Sequence, residues 1–331
     1  MVRFGVIGTN WITDKFIDAA SKVEDFALTA VYSRTEKRAQ EFAEKYGIPH
    51  TFINLEEMAT SGTIEAVYIA SPNSFHARQA ILFLKHGIHV LCEKPMASNL
   101  REVEAMIDAA RKNNVLLMEA MKSTFIPSFI RIRENLHKIG AVRRYFANFC
   151  QYSSRYDEYK KGNILNAFKP EFSNGALMDI GVYCIYPMIV LFGEPKGLKA
   201  NAWMLESGVD GEGSIVFSYD KMEAVTIFSK ITNSFIPSEI QGEKGTIIIN
   251  KMSSPSKVVI HYNDGKTEDI SAPQEENTMV YEAAEFIRLI REGKKESDIN
   301  TYACSLACAR WMEEARKQIG LRFPADENDL F

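Results

Sequence analysis

The chain has 331 residues, 46% apolar and 25% charged, a globular composition with core material for about two domains, which excludes an extended disordered or fibrous protein. Its 39 basic and 43 acidic residues leave a net charge of -4, too weak and too evenly mixed to suggest a nucleic-acid partner. Five cysteines, Cys92, Cys150, Cys184, Cys304 and Cys308, suit reduced thiols in the cytoplasm better than a disulfide framework.

In chain order, apolar runs rich in Val, Ile and aromatic residues predict strands at 2–7, 26–33, 66–70, 89–92 and 116–120. Helical spacing predicts helices between them at 11–21, 35–46, 76–86 and 100–113. This alternation predicts a doubly wound parallel sheet. After about residue 120 a helix at 126–137 and a strand at 142–152 precede an irregular polar stretch, 153–174, that carries four aromatic residues. A loop this long is expected to line or cover a site. A helix at 176–191 leads into six consecutive strands between 199 and 261, and helices at 279–292 and 302–319 close the chain. The expected division is therefore 1–120 and 121–331, the second an α+β domain on an open, mostly antiparallel sheet.

Met1-Val2-Arg3 runs straight into the first strand, so no export leader is expected. The uncharged run 180–193 is 14 residues long and broken by Gly181 and Pro187, short of the roughly 18 to 20 that cross a bilayer. No membrane partner is expected.

Gly8-Thr9-Asn10-Trp11-Ile12-Thr13 follows the first strand and opens a helix, where free N–H groups and the helix dipole favour a pyrophosphate. Gly8 keeps the tight turn of a G-x-G-x-x-G motif. Asn10 and Thr13 replace its later glycines, and Asn is the best-tolerated substitute where φ is positive. An ordinary strand-to-helix connection fits the same residues. The second strand ends in Ser33 and Arg34, with Lys37 and Arg38 one turn on; no acid stands where NAD's ribose hydroxyls would be held, so NADP(H) is expected over NAD(H). The competing reading is a solvated face that pairs these cations with Glu36 and Glu41.

Leu91-Cys92-Glu93-Lys94-Pro95-Met96 lies at the carboxyl end of a strand, the edge where α/β sheets bind ligands. Together with Gly5-Val6-Ile7-Gly8, Ser71-Pro72-Asn73, Met118-Glu119-Ala120 and the segment Gly175 to Cys184, it resembles the Gfo/Idh/MocA oxidoreductase family. The resemblance runs over essentially the whole chain. It is strongest to the branch of dimeric dihydrodiol dehydrogenase, NADP-dependent D-xylose dehydrogenase and glucose-fructose oxidoreductase. It implies an N-terminal Rossmann domain, a homodimer or larger homo-oligomer, and hydride transfer to or from a sugar, polyol or cyclic diol. It further implies Lys94 as the catalytic lysine after a cis Lys94-Pro95 bond, and Tyr183 as general acid/base. A phenol of pKa about 10 becomes a usable shuttle when an ammonium about 4 Å away stabilises the phenolate by roughly 1 to 4 kcal/mol.

Asp179, four residues before Tyr183, would share its helix face and orient a substrate hydroxyl or Lys94; helix capping or a surface charge is the plainer alternative. The resemblance places Ser71, Pro72, Asn73, His76 and Glu93 beside the cofactor, and Arg155, Asn166 and Phe168 are candidate substrate contacts. Lys122-Ser123-Thr124 departs from the aromatic and arginine that relatives often present there, so pocket size and charge do not carry over. His86 and His89 straddle a helix end and a strand start, so no metal site is expected. A non-catalytic NADP-binding sensor and an NAD(P)-dependent glycosidase are the competing functions.

Overall fold

The structure, a computed structural model, describes residues 1–327. The described chain forms two compact units, the first made of 1–122 together with 275–305, the second of 123–274 and 306–327. The stretch 275–305, which follows the strand-rich region in sequence, thus clusters with the first sheet.

In the first unit β1 (Val2–Ile7), α1 (Trp11–Ala20), β2 (Phe26–Tyr32), α2 (Glu36–Tyr46), β3 (His50–Phe52), α3 (Leu55–Thr60), β4 (Ala66–Ile69), α4 (Asn73–Lys85), β5 (His89–Glu93), α5 (Leu100–Lys112) and β6 (Leu117–Ala120) alternate as expected. The six strands are parallel in the order β3-β2-β1-β4-β5-β6. That order reverses at β1 and β4, which opens a crevice at the carboxyl edge where such sheets take ligands. β4 and β6 are buried at every position, as strands covered on both faces must be. Short β3 and α3 escaped the sequence reading.

Below the sheet edge, Phe16 of α1 stacks on Tyr68 of β4 with centroids 3.8 Å apart and planes 9° apart, and both rings are fully buried. Phe4 and Phe26 complete the cluster.

The second unit contains α6 (Pro127–Asn135), β7 (Val142–Cys150), α7 (Ser154–Lys160), α8 (Val182–Phe192), β8 (Gly197–Met204), β9 (Asp210–Ser218), β10 (Glu223–Ser229), β11 (Ser238–Gly242), β12 (Gly245–Ile249), β13 (Val258–Tyr262) and β14 (Thr267–Asp269). Its eight-stranded sheet runs β14-β13-β12-β11-β7-β10-β9-β8. Only the β7–β10 pair is parallel among the described residues. The expected mostly antiparallel sheet is therefore present.

The stretch 153–174 is more ordered than its composition suggested. It folds into α7 and two 3-10 turns at 166–168 and 170–172, with Tyr156 and Tyr159 packed 5.9 and 5.4 Å from the Phe168 ring. The apolar helical stretch 170–192 is long enough to cross a bilayer, but most of it is buried, as a core helix is.

α9 (Met279–Arg291) returns to the first unit and packs on α1, with Phe286 5.9 Å from Phe4. Asn277, just ahead of it, donates to the carbonyl of Lys15 at 2.8 Å, and Arg291 pairs with Asp25. α10 (Tyr302–Ile319) and α11 (Pro324–Glu327) end the described chain.

Phe16→Ala should cost about 3 to 5 kcal/mol, the usual range for deleting a buried phenylalanine ring. Urea unfolding of the variant measures this; a loss below about 1 kcal/mol would contradict the stacked pair's place in the core.

Candidate active site

Gly8 has φ +100, and a Cβ there would lie 2.8 Å from the carbonyl oxygen of Ala70. Both the backbone conformation and the close pass require glycine. Asn10 differs from its expected conformation: its φ is -113, in the extended region, and it is the N-cap of α1. Its Oδ1 accepts the N–H groups of Ile12 (3.0 Å) and Thr13 (3.3 Å), and its Nδ2 donates to Ala70 at 2.8 Å. The side chain that replaced glycine thus takes up two of the helix's unpaired donors. Thr9, Asn10 and Trp11 keep N–H groups that meet no acceptor among the described residues. Thr13 is fully buried.

Arg38 leaves the face of α2 and donates to the carbonyl of Thr9 at 3.1 Å and to its hydroxyl at 3.3 Å. Lys37 instead pairs with Glu41 at 3.9 Å, as the solvated-face reading expected for that residue. Ser33 is buried and donates its N–H to Phe52, and Arg34 is exposed. Trp11 is 57% exposed, with the Lys15 ammonium 5.4 Å over its ring. These residues fit a dinucleotide phosphate: a turn only glycine can make, free donors, and a guanidinium folded back on it.

The turns after β4 and β5 are braced by buried polar groups. Ser71 donates to Gln79 at 2.6 Å; Pro72 is the N-cap of α4 and Asn73, nearly buried, its first residue. His76 lies between the carbonyls of Pro95 (3.0 Å) and Ser71 (2.8 Å). Burial pushes its pKa down, so the imidazole is neutral and its single N–H serves one carbonyl at a time. The ring thus lies between the β4 turn and the Lys94-Pro95 turn, bonded to either one according to its tautomer. The Lys94-Pro95 bond is cis.

Glu93 receives the Tyr68 hydroxyl at 2.5 Å and the Lys94 N–H at 3.3 Å. Burial raises its pKa, and the adjacent Lys94 ammonium opposes that rise. Glu119 of β6 accepts the Met96 N–H at 3.0 Å and the Ser305 hydroxyl at 2.6 Å, and Asn300 donates to its carbonyl at 3.1 Å. Burial pushes the Glu119 carboxyl up to about 7.

Two more titratable groups join this cluster, Lys122, noted in the sequence as a departure from the relatives, and Glu282, which sequence reasoning missed. Burial lowers the pKa of Lys122, while Glu282 and Glu93 act to raise it. Glu282 of α9 is fully buried, and neither carboxylate oxygen has a hydrogen-bond partner among the described residues. Burial drives its pKa far up. The signal was present: Glu282 interrupts the apolar stripe of Met279, Ala283 and Phe286, the position of a core residue rather than a solvated acid.

In the second unit the turn ahead of α8 is π-helical over Leu177–Gly181, a geometry frequent at functional sites. Asp179 lies in it and Tyr183 one residue into α8, so the helix between them is not the uninterrupted α-turn the spacing assumed. Tyr183 is partly exposed, its ring edge-on to Phe149 at 5.6 Å. Asp179 forms an ion pair with Lys230. Arg155 and Asn166 are exposed. Phe168 has no exposed surface, which gives it a packing role in place of the expected substrate contact. Among the described residues no group of three or more His, Cys, Asp or Glu could hold a metal.

Glu119 sets a pH dependence for stability. Its folded pKa is raised from 4.5 to about 7, so its favourable contribution is complete below about 4.5 and is lost as pH rises through about 7, on the order of 3 kcal/mol. Glu119→Gln should remove that slope; an unchanged slope in urea unfolding between pH 5 and pH 8 would contradict it.

Comparison with known proteins places this geometry. Residues 2–121 match the Gfo/Idh/MocA oxidoreductase family with its NAD-binding Rossmann fold, and residues 132–248 match the Gfo/Idh/MocA C-terminal domain. The chain is 58% identical over 327 residues to the NADP(+)-dependent scyllo-inositol 2-dehydrogenase IolU of Bacillus subtilis, covering 99% of this chain and 100% of the relative. It is 31% identical over 344 residues to the mouse (Mus musculus) trans-1,2-dihydrobenzene-1,2-diol dehydrogenase, covering 98% and 99% of the two chains. Its fold is similar to that of KijD10, a 3-ketoreductase from Actinomadura kijaniata solved with TDP-benzene and NADP, at a TM-score of 0.82 and 23% identity over 96% and 98% of the two chains. With two family domains matched in order and a relative this similar along its whole length, the chain belongs to the Gfo/Idh/MocA oxidoreductase family.

Proposed function

We propose that this protein is an NADP-dependent dehydrogenase or reductase that transfers a hydride between the nicotinamide and the CH–OH carbon of a sugar, polyol or cyclic diol, a cyclic polyol first among them. The observation that carries the reading is the 58% identity to an NADP(+)-dependent inositol dehydrogenase over 99% of the chain. The cofactor preference also rests on Arg38 folded onto Thr9 and on Ser33, not an acid, standing at the end of β2. Gly8, Thr9, Asn10, Trp11 and Ile12 would hold the pyrophosphate; Ser33, Arg34 and Arg38 would hold the 2'-phosphate.

Bound NADP supplies the acceptor or donor of the hydride. The protein's own part is charge and proton handling. Lys94 donates to the substrate oxygen and stabilises negative charge on it as the C–H bond breaks or forms. Tyr183 takes the hydroxyl proton in oxidation and returns it in reduction. Asp179 accepts a hydrogen bond from a neighbouring substrate hydroxyl. Ser71, Asn73 and Glu93 border the nicotinamide ribose, with His76 fixing their turn. Exposed Arg155 and Asn166 would meet the substrate's outer hydroxyls.

One face of the second sheet exposes Trp203 (66% exposed) and Val216 (39%) among polar residues. We assign it to a homodimer, in a cytoplasmic protein whose five cysteines form no disulfide among the described residues. Light scattering at micromolar concentration should give a dimer or larger assembly; a monomer would contradict this.

Incubation with NADP+ or NAD+ and a panel of inositols, aldoses and cyclic diols tests the function. NADPH should accumulate with a cyclic polyol, with kcat/KM at least about tenfold higher for NADP+ than for NAD+, and Arg38→Ala should remove about tenfold of that preference, roughly 1.4 kcal/mol. Product without NADPH accumulation would favour a glycosidase, and no product a sensor.

A further inference from the structure

Lys230 follows β10 and has its backbone held on both sides: its N–H donates to Gly211 at 2.9 Å, and its carbonyl accepts from Ser153 at 2.9 Å. The side chain runs over the face of Phe168, with the ammonium 5.4 Å from the ring centroid, and pairs with Asp179. The two partners differ in access. The Lys230 side chain is 4% exposed and that of Asp179 is 35% exposed, so the cation lies behind the carboxylate and the carboxylate faces out.

Two further acids lie close to this pair. Asp210, at the start of β9, is fully buried and accepts the Leu177 N–H at 2.6 Å at the head of the π-turn. Burial pushes its carboxyl up to about 6, and Lys230 acts against that rise. Glu212, two residues on, is engaged by the hydroxyls of Ser229 and Thr232 at 3.3 Å each. Lys230 therefore pairs with Asp179 and also acts on Asp210. An ammonium out of contact with water favours the charged form of a carboxylate it touches. An ionised carboxylate is an acceptor only.

We infer that Lys230 is a positioning residue that keeps Asp179 ionised and aimed as the acceptor for a substrate hydroxyl, so that discrimination in favour of a hydroxyl beside the reacting carbon rests on a residue that need not touch the substrate. The inference rests on the reading of Asp179 as a substrate-contacting group. A protonated or turned Asp179 could donate to, or ignore, the same oxygen; the Lys230 pair removes both alternatives. A substrate lacking that hydroxyl would cover the exposed side of the carboxylate without giving it this hydrogen bond, which is how a site built for a hydroxyl disfavours its deoxy analogue.

The test is calorimetric binding of scyllo-inositol to the NADPH-loaded protein between pH 6 and 8, with steady-state kinetics alongside, for wild type, Lys230→Met and Lys230→Arg. Lys230→Met should weaken polyol binding and raise KM at least about tenfold at pH 7, with kcat and NADPH affinity within about threefold of wild type. The loss should grow as pH falls toward 6, and Lys230→Arg should restore most of the affinity. If Lys230→Met fails to fold, Lys230→Gln, which also removes the charge, gives the same comparison. A folded, charge-free variant that binds the polyol as wild type does at every pH overturns this inference alone. A wild type that binds no polyol overturns the functional reading and this inference with it.

Discussion

The first unit depends on two buried carboxyls, Glu93 and Glu119, which between them hold the chain where it leaves β5. Glu119 takes the Met96 N–H on one oxygen and the Ser305 hydroxyl on the other. Glu93 is held by Tyr68, which is stacked on Phe16. The Lys94 turn is thus anchored in the aromatic core on one side and in the 275–305 segment on the other. Buried acids of this kind are destabilising where they are ionised, and natural sequences keep such groups where position matters more than stability. Here they fix the backbone around Lys94 at the ligand edge of the sheet.

The phosphate turn shows a second compromise. Glycine at the position of Asn10 would leave every first-turn N–H open to a ligand. Asn10 instead caps α1 with its own side chain and ties the turn to Ala70 through Nδ2. The helix start is satisfied without a ligand, and a pyrophosphate would rely on the donors of Thr9, Asn10 and Trp11, with Arg38 left for the 2'-phosphate. The guanidinium already bonded to Thr9 is preorganised for that use, which lowers the ordering cost on binding.

Much of this was legible in the sequence because the doubly wound sheet writes itself as alternating apolar periods. The strands from Val2–Ile7 to Leu117–Ala120 have nearly continuous apolar cores, and the helices between them keep a regular stripe. What failed to register had no such period. β3 is three residues with two exposed, and α7 buries none of its residues, so neither leaves an apolar rhythm. The amphipathic pattern of α9 announces a helix but not the sheet it covers, and for that reason Glu282 could not be placed beside Lys122. Asn10 was read as a glycine substitute at positive φ; the capping geometry that it adopts uses the same short amide for a different purpose. Lys230 carries no local signal at all, since its partner Asp179 lies about fifty residues away and only the folded sheet brings them together.

In the function we propose, Lys94 stabilises charge on the substrate oxygen and Tyr183 moves its proton. Single-turnover kinetics of Lys94→Ala, Tyr183→Phe and the double variant, each with NADPH binding measured separately, test this most directly. The account predicts that each single change slows hydride transfer by at least about a hundredfold with cofactor still bound, and that the double variant is little slower than the worse single one. Near-normal hydride transfer in either single variant, or losses that multiply fully in the double, would contradict it.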